Sequence, residues 1–299
     1  MVGGERAQLA GVDAHLTVQA DSLRVGLLQA GPTLGRVDEN RARIAALGRE
    51  VGEVDLMVTP ELSLSGFGFG LCGAADAISS DDARLVSLGL GSAAVGIGFA
   101  ERSPAGLPRN SYVVFDGERT HLQRKLHPVS YAPWNEHLLF EAGDSMDTAV
   151  IRGARCATVI CNDMWHPVVP WLAARAGAEV LIVPVASIEG DDPAQIRRTW
   201  ELILEHTATL LQCYVVFVNR CGIDSGKRFW GGSRVIGPDG KTIVELGDVE
   251  ASAVATLDLA RVRELRASTP ILAETNVSLL SDALSELAQG VTERRGHRV

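Results

Sequence analysis

Apolar residues recur along this chain in two rhythms. The first is a series of short runs rich in aliphatic and β-branched side chains: LRVGLLQA at 23–30, DLMVTPE at 55–61, AAVGIGFAE at 93–101, SYVVFDG at 111–117, CATVIC at 156–161, EVLIVPVAS at 179–187, CYVVFVNR at 213–220 and SRVIGPDG at 233–240. Runs of this length, closed by turn residues such as Pro238-Asp239-Gly240, predict buried strands. The second rhythm is helical. Asp192 followed by Pro193 supplies an N-cap and a first-turn proline for a helix through QIRRTWELILEHTATLL. A further helix is predicted from Glu39 to Val51, and VVPWLAARAG at 168–177 ends on a glycine suited to a C-cap. Helices and strands alternate in the first and middle thirds, while strand pairs dominate near 93–125 and 213–257. The expectation is an α/β fold of sheets covered by helices.

No internal repeat or long linker divides the chain, so one domain is expected over 23–275. An extension at 1–22 precedes it, and a helix with a polar, basic end follows at 276–299. With 299 residues, 46% of them hydrophobic, such a domain has ample core. The formal net charge of −9, without a dense Lys/Arg stripe, argues against a nucleic-acid surface, which needs positive potential along the phosphates. The opening MVGGERAQLAGVDAHL carries charges where a secretory signal needs an apolar stretch. Nowhere do about 18 apolar residues run together, as a membrane span requires. A cytoplasmic protein with no membrane partner is therefore expected. Five cysteines (Cys72, Cys156, Cys161, Cys213, Cys221) form no CxxC pair and suggest neither a disulfide framework nor a zinc site.

Of the 28 basic residues only three are lysine: Lys125, Lys227 and Lys241. A compact ammonium in a confined pocket does work that a guanidinium does not, so each lysine is a candidate for function. Reactive residues close three of the predicted strands: Glu61 after DLMVTP, Lys125 after RTHLQR and Cys161 after CATVI. Ligands in layered α/β folds bind where strands end. Cysteine is a strong nucleophile only as the thiolate, and its free pKa of about 8.5 leaves few molecules ionised at neutral pH. Glu61 is suited to take the thiol proton and return it to a departing amine. Lys125 is suited to stabilise an oxyanion, with the backbone N–H of Asn162 completing the oxyanion hole. Glu136 is suited to orient Lys125 or the substrate amine. Taken singly, each has a plainer reading: a core thiol, a solvated strand end, a surface lysine, a loop charge. The conjunction carries the signal.

Those residues resemble the nitrilase, or carbon–nitrogen hydrolase, superfamily. TPELSLSGF carries the family's catalytic glutamate as Glu61, QRKLHP its lysine as Lys125, and VICNDMWHP its nucleophile as Cys161. NSYVVFDGE, NEHLLFEAGD (with Glu136 at the second glutamate) and FWGGSRVIGPDG agree further, so the resemblance spans roughly 23–270. It implies a four-layer α-β-β-α sandwich, assembly into a homodimer or larger homo-oligomer, and no cofactor or metal. It also implies a cysteine-dependent amidohydrolase working through a thioester on a small-molecule amide. The order KLHPVSYAPWNE together with ICNDMW is similar to the glutaminase domains of glutamine-dependent NAD synthetases, and makes Tyr131, Trp165 and Ser187 candidates for contacting substrate; rim packing is the plainer reading for the two aromatics. After the cysteine the chain reads MWHP, without the arginines that hold a carboxylate in carbamoyl-amino-acid hydrolases. The helix before QCYVVFVNR departs from the family as well: Thr207 and Leu210 stand in HTATLL where relatives carry charges.

Other readings stay open at this level. Nitrile and carbamoyl substrates are the nearest enzymatic alternatives, and transfer of the acyl group to an amine is another. A papain-like pair of Cys161 with His127 or His166 is a different mechanism, and a non-catalytic scaffold with the same fold is a different class. GFGFG at 66–70 lacks the spacing of a nucleotide loop and reads as shaping the chain after Glu61.

Overall fold

The computed structural model describes residues 20–68, 77–86, 88–104 and 106–296, with side chains described to residue 289. The first half of the chain lays down β1 (Ser22–Gln29), α1 (Val37–Val51), β2 (Leu56–Val58), the single turn α2 (Ala83–Val86), β3 (Ala94–Glu101), β4 (Arg109–Phe115) and β5 (Thr120–Arg124). The second half continues with β6 (Thr148–Ile151), β7 (Ala154–Thr158), α3 (Val168–Arg175), β8 (Val180–Val185), α4 (Pro193–Leu211) and β9 (Tyr214–Asn219). A hairpin of β10 (Cys221–Asp224) and β11 (Lys227–Trp230) follows, then β12 (Arg234–Ile236), β13 (Thr242–Glu245), β14 (Ala251–Asp258), α5 (Leu259–Ser268) and α6 (Val277–Gly296).

The strands form two six-stranded sheets, ordered β14-β1-β2-β3-β4-β5 and β13-β12-β9-β8-β7-β6. β14 returns to the first sheet and pairs antiparallel with the whole of β1, from Ser22 opposite Asp258 to Gln29 opposite Ala251. At the centre of each sheet three strands run parallel, β1-β2-β3 in one and β7-β8-β9 in the other.

Period-two alternation explains why the runs are apolar at nearly every position. Leu23, Val25 and Leu27 of β1, Val180 and Ile182 of β8, and Tyr214, Val216 and Val218 of β9 meet in the layer between the sheets. Their neighbours Leu181, Val183, Val215 and Phe217 face outward against Trp200, Leu204, Ala208 and Leu211 of α4. On the other side Leu28, Met57, Ile97 and Phe99 pack against Ile44, Leu47 and Val51 of α1. Helix, sheet, sheet and helix thus make four layers, as expected. The α4 N-cap also forms as read: the Asp192 side chain accepts from the Gln195 N–H at 3.0 Å.

Thr207 lies on the buried face of α4, whereas Leu210 is 46% exposed. Burial at Thr207 suits an uncharged residue. The strands leading to the site are shorter than the apolar runs predicted. β7 stops at Thr158 and β2 at Val58, so the reactive residues stand on turns beyond the strands. Of the cysteines, Cys156, Cys161, Cys213 and Cys221 are free, and Cys72 lies outside the described residues, as do most of 1–22 and the end of GFGFG. Among the described residues no helix is long and apolar enough to cross a membrane.

Candidate active site

The turn after β2 carries Glu61 and is buried throughout. It is held by its own short polar side chains. Thr59 Oγ1 donates to the Gly96 carbonyl at 2.8 Å, Ser63 Oγ accepts from the Gly98 N–H at 3.2 Å, and Ser65 Oγ from the Ala100 N–H at 3.1 Å. The turn lies so close to β3 that a Cβ on Gly98 would stand 2.4 Å from the Leu62 nitrogen. Only glycine admits that approach.

Lys125 follows β5, with its backbone N–H on the Asn110 carbonyl at 2.8 Å and its carbonyl accepting from the Gly143 N–H at 2.7 Å. Its side chain, 1% exposed, ends between two carboxylates: Nζ donates to Glu61 Oε1 and to Glu136 Oε2, each at 2.7 Å. Asn110 Nδ2 also donates to Glu61 Oε1, at 2.8 Å, and the Val129 N–H to Glu136 Oε2, at 2.9 Å. Glu61 Oε1 and Glu136 Oε2 are thus both doubly occupied. Burial alone would lower the lysine pKa; the Glu136 and Glu61 charges outweigh it and hold the ammonium well above its ordinary value. Burial likewise raises the Glu136 carboxyl, with Lys125 opposing and Glu61 adding to the rise.

Cys161 opens a 3₁₀ turn, Cys161–Trp165, in the left-handed region at φ 45°. For a residue with a Cβ this conformation is uncommon and strained, and it lifts the thiol out of the strand path toward the cavity. The opening expectation of a cysteine at a strand end becomes a cysteine on a turn three residues beyond one. The neighbours of Cys161 tie that turn to the lysine loop. Asp163 Oδ2 accepts from the Leu126 N–H at 3.0 Å, Asp163 Oδ1 accepts from the His127 N–H at 2.8 Å, and Asn162 Nδ2 donates to the His127 carbonyl at 2.9 Å. The N–H of Ala186, just beyond β8, points at the Cys161 sulfur. Burial and then the Glu61 charge push the thiol well above the ordinary cysteine value, with Lys125 opposing them. Both effects favour the neutral thiol over the thiolate.

Glu61, Lys125, Glu136 and Cys161 line one cavity of about 320 Å³, together with Asn162, Tyr131, Trp165 and Ser187. The four-residue centre and the three predicted contact residues are thus brought together. Tyr131 is 58% exposed and Trp165 39%, whereas Ser187 is buried. Ser187 Oγ accepts from Trp200 Nε1 at 3.1 Å, leaving the hydroxyl proton to donate elsewhere. Trp165 meets Trp200 edge-on at 5.5 Å, so it packs at the rim while facing the cavity. His127 Nδ1 lies 3.0 Å from Asp163 Oδ1 and its ring stacks on His166 at 3.9 Å. The two histidines weighed as partners for the thiol are engaged with Asp163 and with each other. Among the described residues no group of three or more His, Cys, Asp or Glu side chains is placed to hold a metal ion.

Asn110, Asp163 and Ala186 were not assigned roles from sequence. Asn110 and Asp163 stand inside segments that carry the family resemblance, NSYVVFDGE and VICNDMWHP, which is the available signal. Ala186 acts through its backbone, which no side-chain pattern announces.

The carbon–nitrogen hydrolase family model matches residues 24–267. An (R)-stereoselective amidase of a Pseudomonas species is 32% identical over 265 residues, covering 86% of this chain and 93% of that one. A glutamine-dependent NAD(+) synthetase of Rhodobacter capsulatus is 30% identical over 250 residues, 81% of this chain but 44% of the synthetase. Among solved structures, a mutant of an amidase from Nesterenkonia sp. superposes with a TM-score of 0.72 at 21% identity, covering 90% of this chain and 99% of that one; it shows covalent addition of the acetamide moiety of fluoroacetamide at the active site cysteine. With its sandwich and these relatives, the chain belongs to the carbon–nitrogen hydrolase family and is a carbon–nitrogen hydrolase enzyme.

Proposed function

We propose that this enzyme is a cysteine-dependent amidohydrolase that cleaves a small amide through a thioester on Cys161. The observation that carries the reading is the buried Lys125 ammonium held between Glu61 and Glu136 in the cavity that also exposes the Cys161 thiol. Two carboxylates against one ammonium leave one negative charge in the centre. That excess makes Glu61 a proton acceptor for the thiol when substrate arrives.

In the proposed reaction the thiol gives its proton to Glu61 as sulfur bonds to the amide carbon. The developing oxyanion is met by the Lys125 ammonium and the Asn162 backbone N–H. Glu61 passes the proton to the amide nitrogen, the C–N bond breaks, and ammonia or an amine leaves. Water then gives a proton to Glu61 while its oxygen bonds to the thioester carbon, the C–S bond breaks, and the proton returns to sulfur. A carboxylic acid departs. Glu136 holds Lys125 in place, and Ser187, Tyr131 and Trp165 contact the acyl group. The covalent acetamide adduct of the Nesterenkonia amidase supports the nucleophilic role.

Ammonia release from a panel of primary amides, short nitriles and carbamoyl compounds tests the reading, with Cys161→Ala as control. Release from an amide by the unmodified enzyme alone, with an acyl adduct at Cys161 by mass spectrometry, is the expected result. Turnover of nitriles or carbamoyl compounds but of no amide would overturn the substrate class.

A further inference from the structure

We propose, resting on the amide-hydrolase reading above, that the cavity selects amides whose acyl group is an apolar chain ending in an ammonium, and rejects those whose acyl group carries a carboxylate. Two independent features of the cavity point there.

The first is the sign of its charges. Among the described residues Lys125 is the only basic side chain in the lining, and both Glu61 and Glu136 already hold its ammonium. Residues 69–76, further along the chain from Glu61, contain no basic residue. The lining also includes Glu189, Asp191 and Asp192. Glu189 is paired with Arg197 at 3.0 Å and Arg228 at 3.7 Å, neither of which lines the cavity. Asp192 caps α4 by accepting from the Gln195 N–H. Among the described ion pairs neither Asp191 nor Asp192 has a cationic partner. A substrate carboxylate would enter this site with no cation to receive it, against a like-signed field.

The second is the cavity's apolar side. Tyr131, Trp134, Trp165, Ile188, Ile196 and Trp200 line it. Such a surface takes methylene groups by burial, and its ring faces attract a cation while offering a carboxylate nothing. The apolar lining and the exposed carboxylates of Asp191 and Asp192 together match an apolar chain that ends in an ammonium.

The test compares hexanamide, 6-aminohexanamide and the monoamide of adipic acid, and their four-carbon counterparts, by kcat/KM at low and high salt. The expected order is cationic, neutral, anionic, with about tenfold between the ends, a gap that narrows as salt rises. Asp191→Asn, which leaves the Asp192 cap intact, is expected to narrow the cationic advantage several-fold. Cationic amides turned over no faster than neutral ones, or anionic amides turned over as fast as either, overturn the proposal.

A second arm needs no turnover. Alkylation of Cys161 by iodoacetate is compared with alkylation by iodoacetamide, each relative to free cysteine and read by peptide mass. The anionic reagent is expected to be disfavoured by about a further tenfold at Cys161. If no amide is hydrolysed while iodoacetate is still rejected, the amide reading falls and the charge selection stands. Equal relative reactivity overturns the charge selection whatever the turnover.

Discussion

Asp163 holds the backbone of His127: one carboxylate oxygen accepts the His127 N–H at 2.8 Å while the other accepts the Leu126 N–H at 3.0 Å. A buried carboxyl group two residues after Cys161 therefore sets the path of the chain directly after Lys125. The link joins the Cys161 turn to the segment after Lys125 across 36 residues of sequence. The same carboxylate oxygen faces His127 Nδ1, so it orients the ring as well as the backbone.

Removing that link is expected to damage catalysis and folding together. Asp163→Ala frees two part-buried N–H groups, a loss of about 1.5–3 kcal/mol for each hydrogen bond to a carboxylate. Displacement of Lys125 by even about 1 Å is expected to lower kcat by roughly a hundredfold. Steady-state kinetics beside a urea unfolding curve checks this: an unaltered kcat would show that the lysine loop is positioned by other contacts.

Glu136 tests the charge balance around Lys125. Glu136→Gln keeps the shape and an acceptor for the Val129 N–H but removes one of two counter-charges from a buried ammonium. Breaking a buried ion pair from one side costs about 3–5 kcal/mol when nothing replaces it, and the retained amide oxygen is expected to recover part of that. The expected kinetic result is a fall of about a hundredfold in kcat. Restoration of activity by Glu136→Asp would show that charge alone, without reach, suffices.

The close contact at Gly98 yields a prediction about the glutamate turn. A methyl group there would meet the Leu62 nitrogen at 2.4 Å and the Pro60 carbonyl oxygen at 2.7 Å, both backbone atoms on either side of Glu61. Gly98→Ala is expected to push the turn off β3, costing about 1–3 kcal/mol of stability, and to lower kcat with it. Wild-type kcat in a stably folded Gly98→Ala protein would mean that the Glu61 carboxylate tolerates the shift.

Stability is expected to fall in alkaline solution. Burial pushes the Cys213 thiol up to about 12 and the Cys221 thiol up to about 11, and Lys125 also titrates above its ordinary range. For a thiol raised on folding, the unfolded chain loses its proton first, near about pH 8.5, while the native state keeps it. Native stability contributed by the neutral thiol is complete below that pH and declines until the native thiol itself ionises. For Lys125 the sign is the same: its contribution is complete below about pH 10.4 and is lost as pH rises through the native value. The urea midpoint is expected to fall steadily between about pH 8.5 and 11. A flat midpoint over that range would contradict the burial of these thiols.

Sequence alone carried the layered architecture, because strands buried on both faces must be apolar at nearly every position while α4 shows a single apolar stripe. It also pointed to Glu61, Lys125 and Cys161, because reactive side chains closing three predicted strands in a lysine-poor chain are rare in combination. Glu136 came with the family resemblance and a plausible charge pairing. The exact ends of β2 and β7 were not legible, since Pro60 and Ile160 continue the apolar run after the strand pairing has stopped. Tertiary structure decided the rest. Asp163 and Asn110 look like ordinary turn residues until distant segments place backbone N–H groups and Glu61 beside them, and the Ala186 N–H has no side chain to mark it. The left-handed backbone at Cys161 likewise depends on neighbours that overrule local preference. Composition along a chain reports what must be buried; which buried polar group meets which depends on contacts between segments far apart, and those exist only once the two sheets have packed.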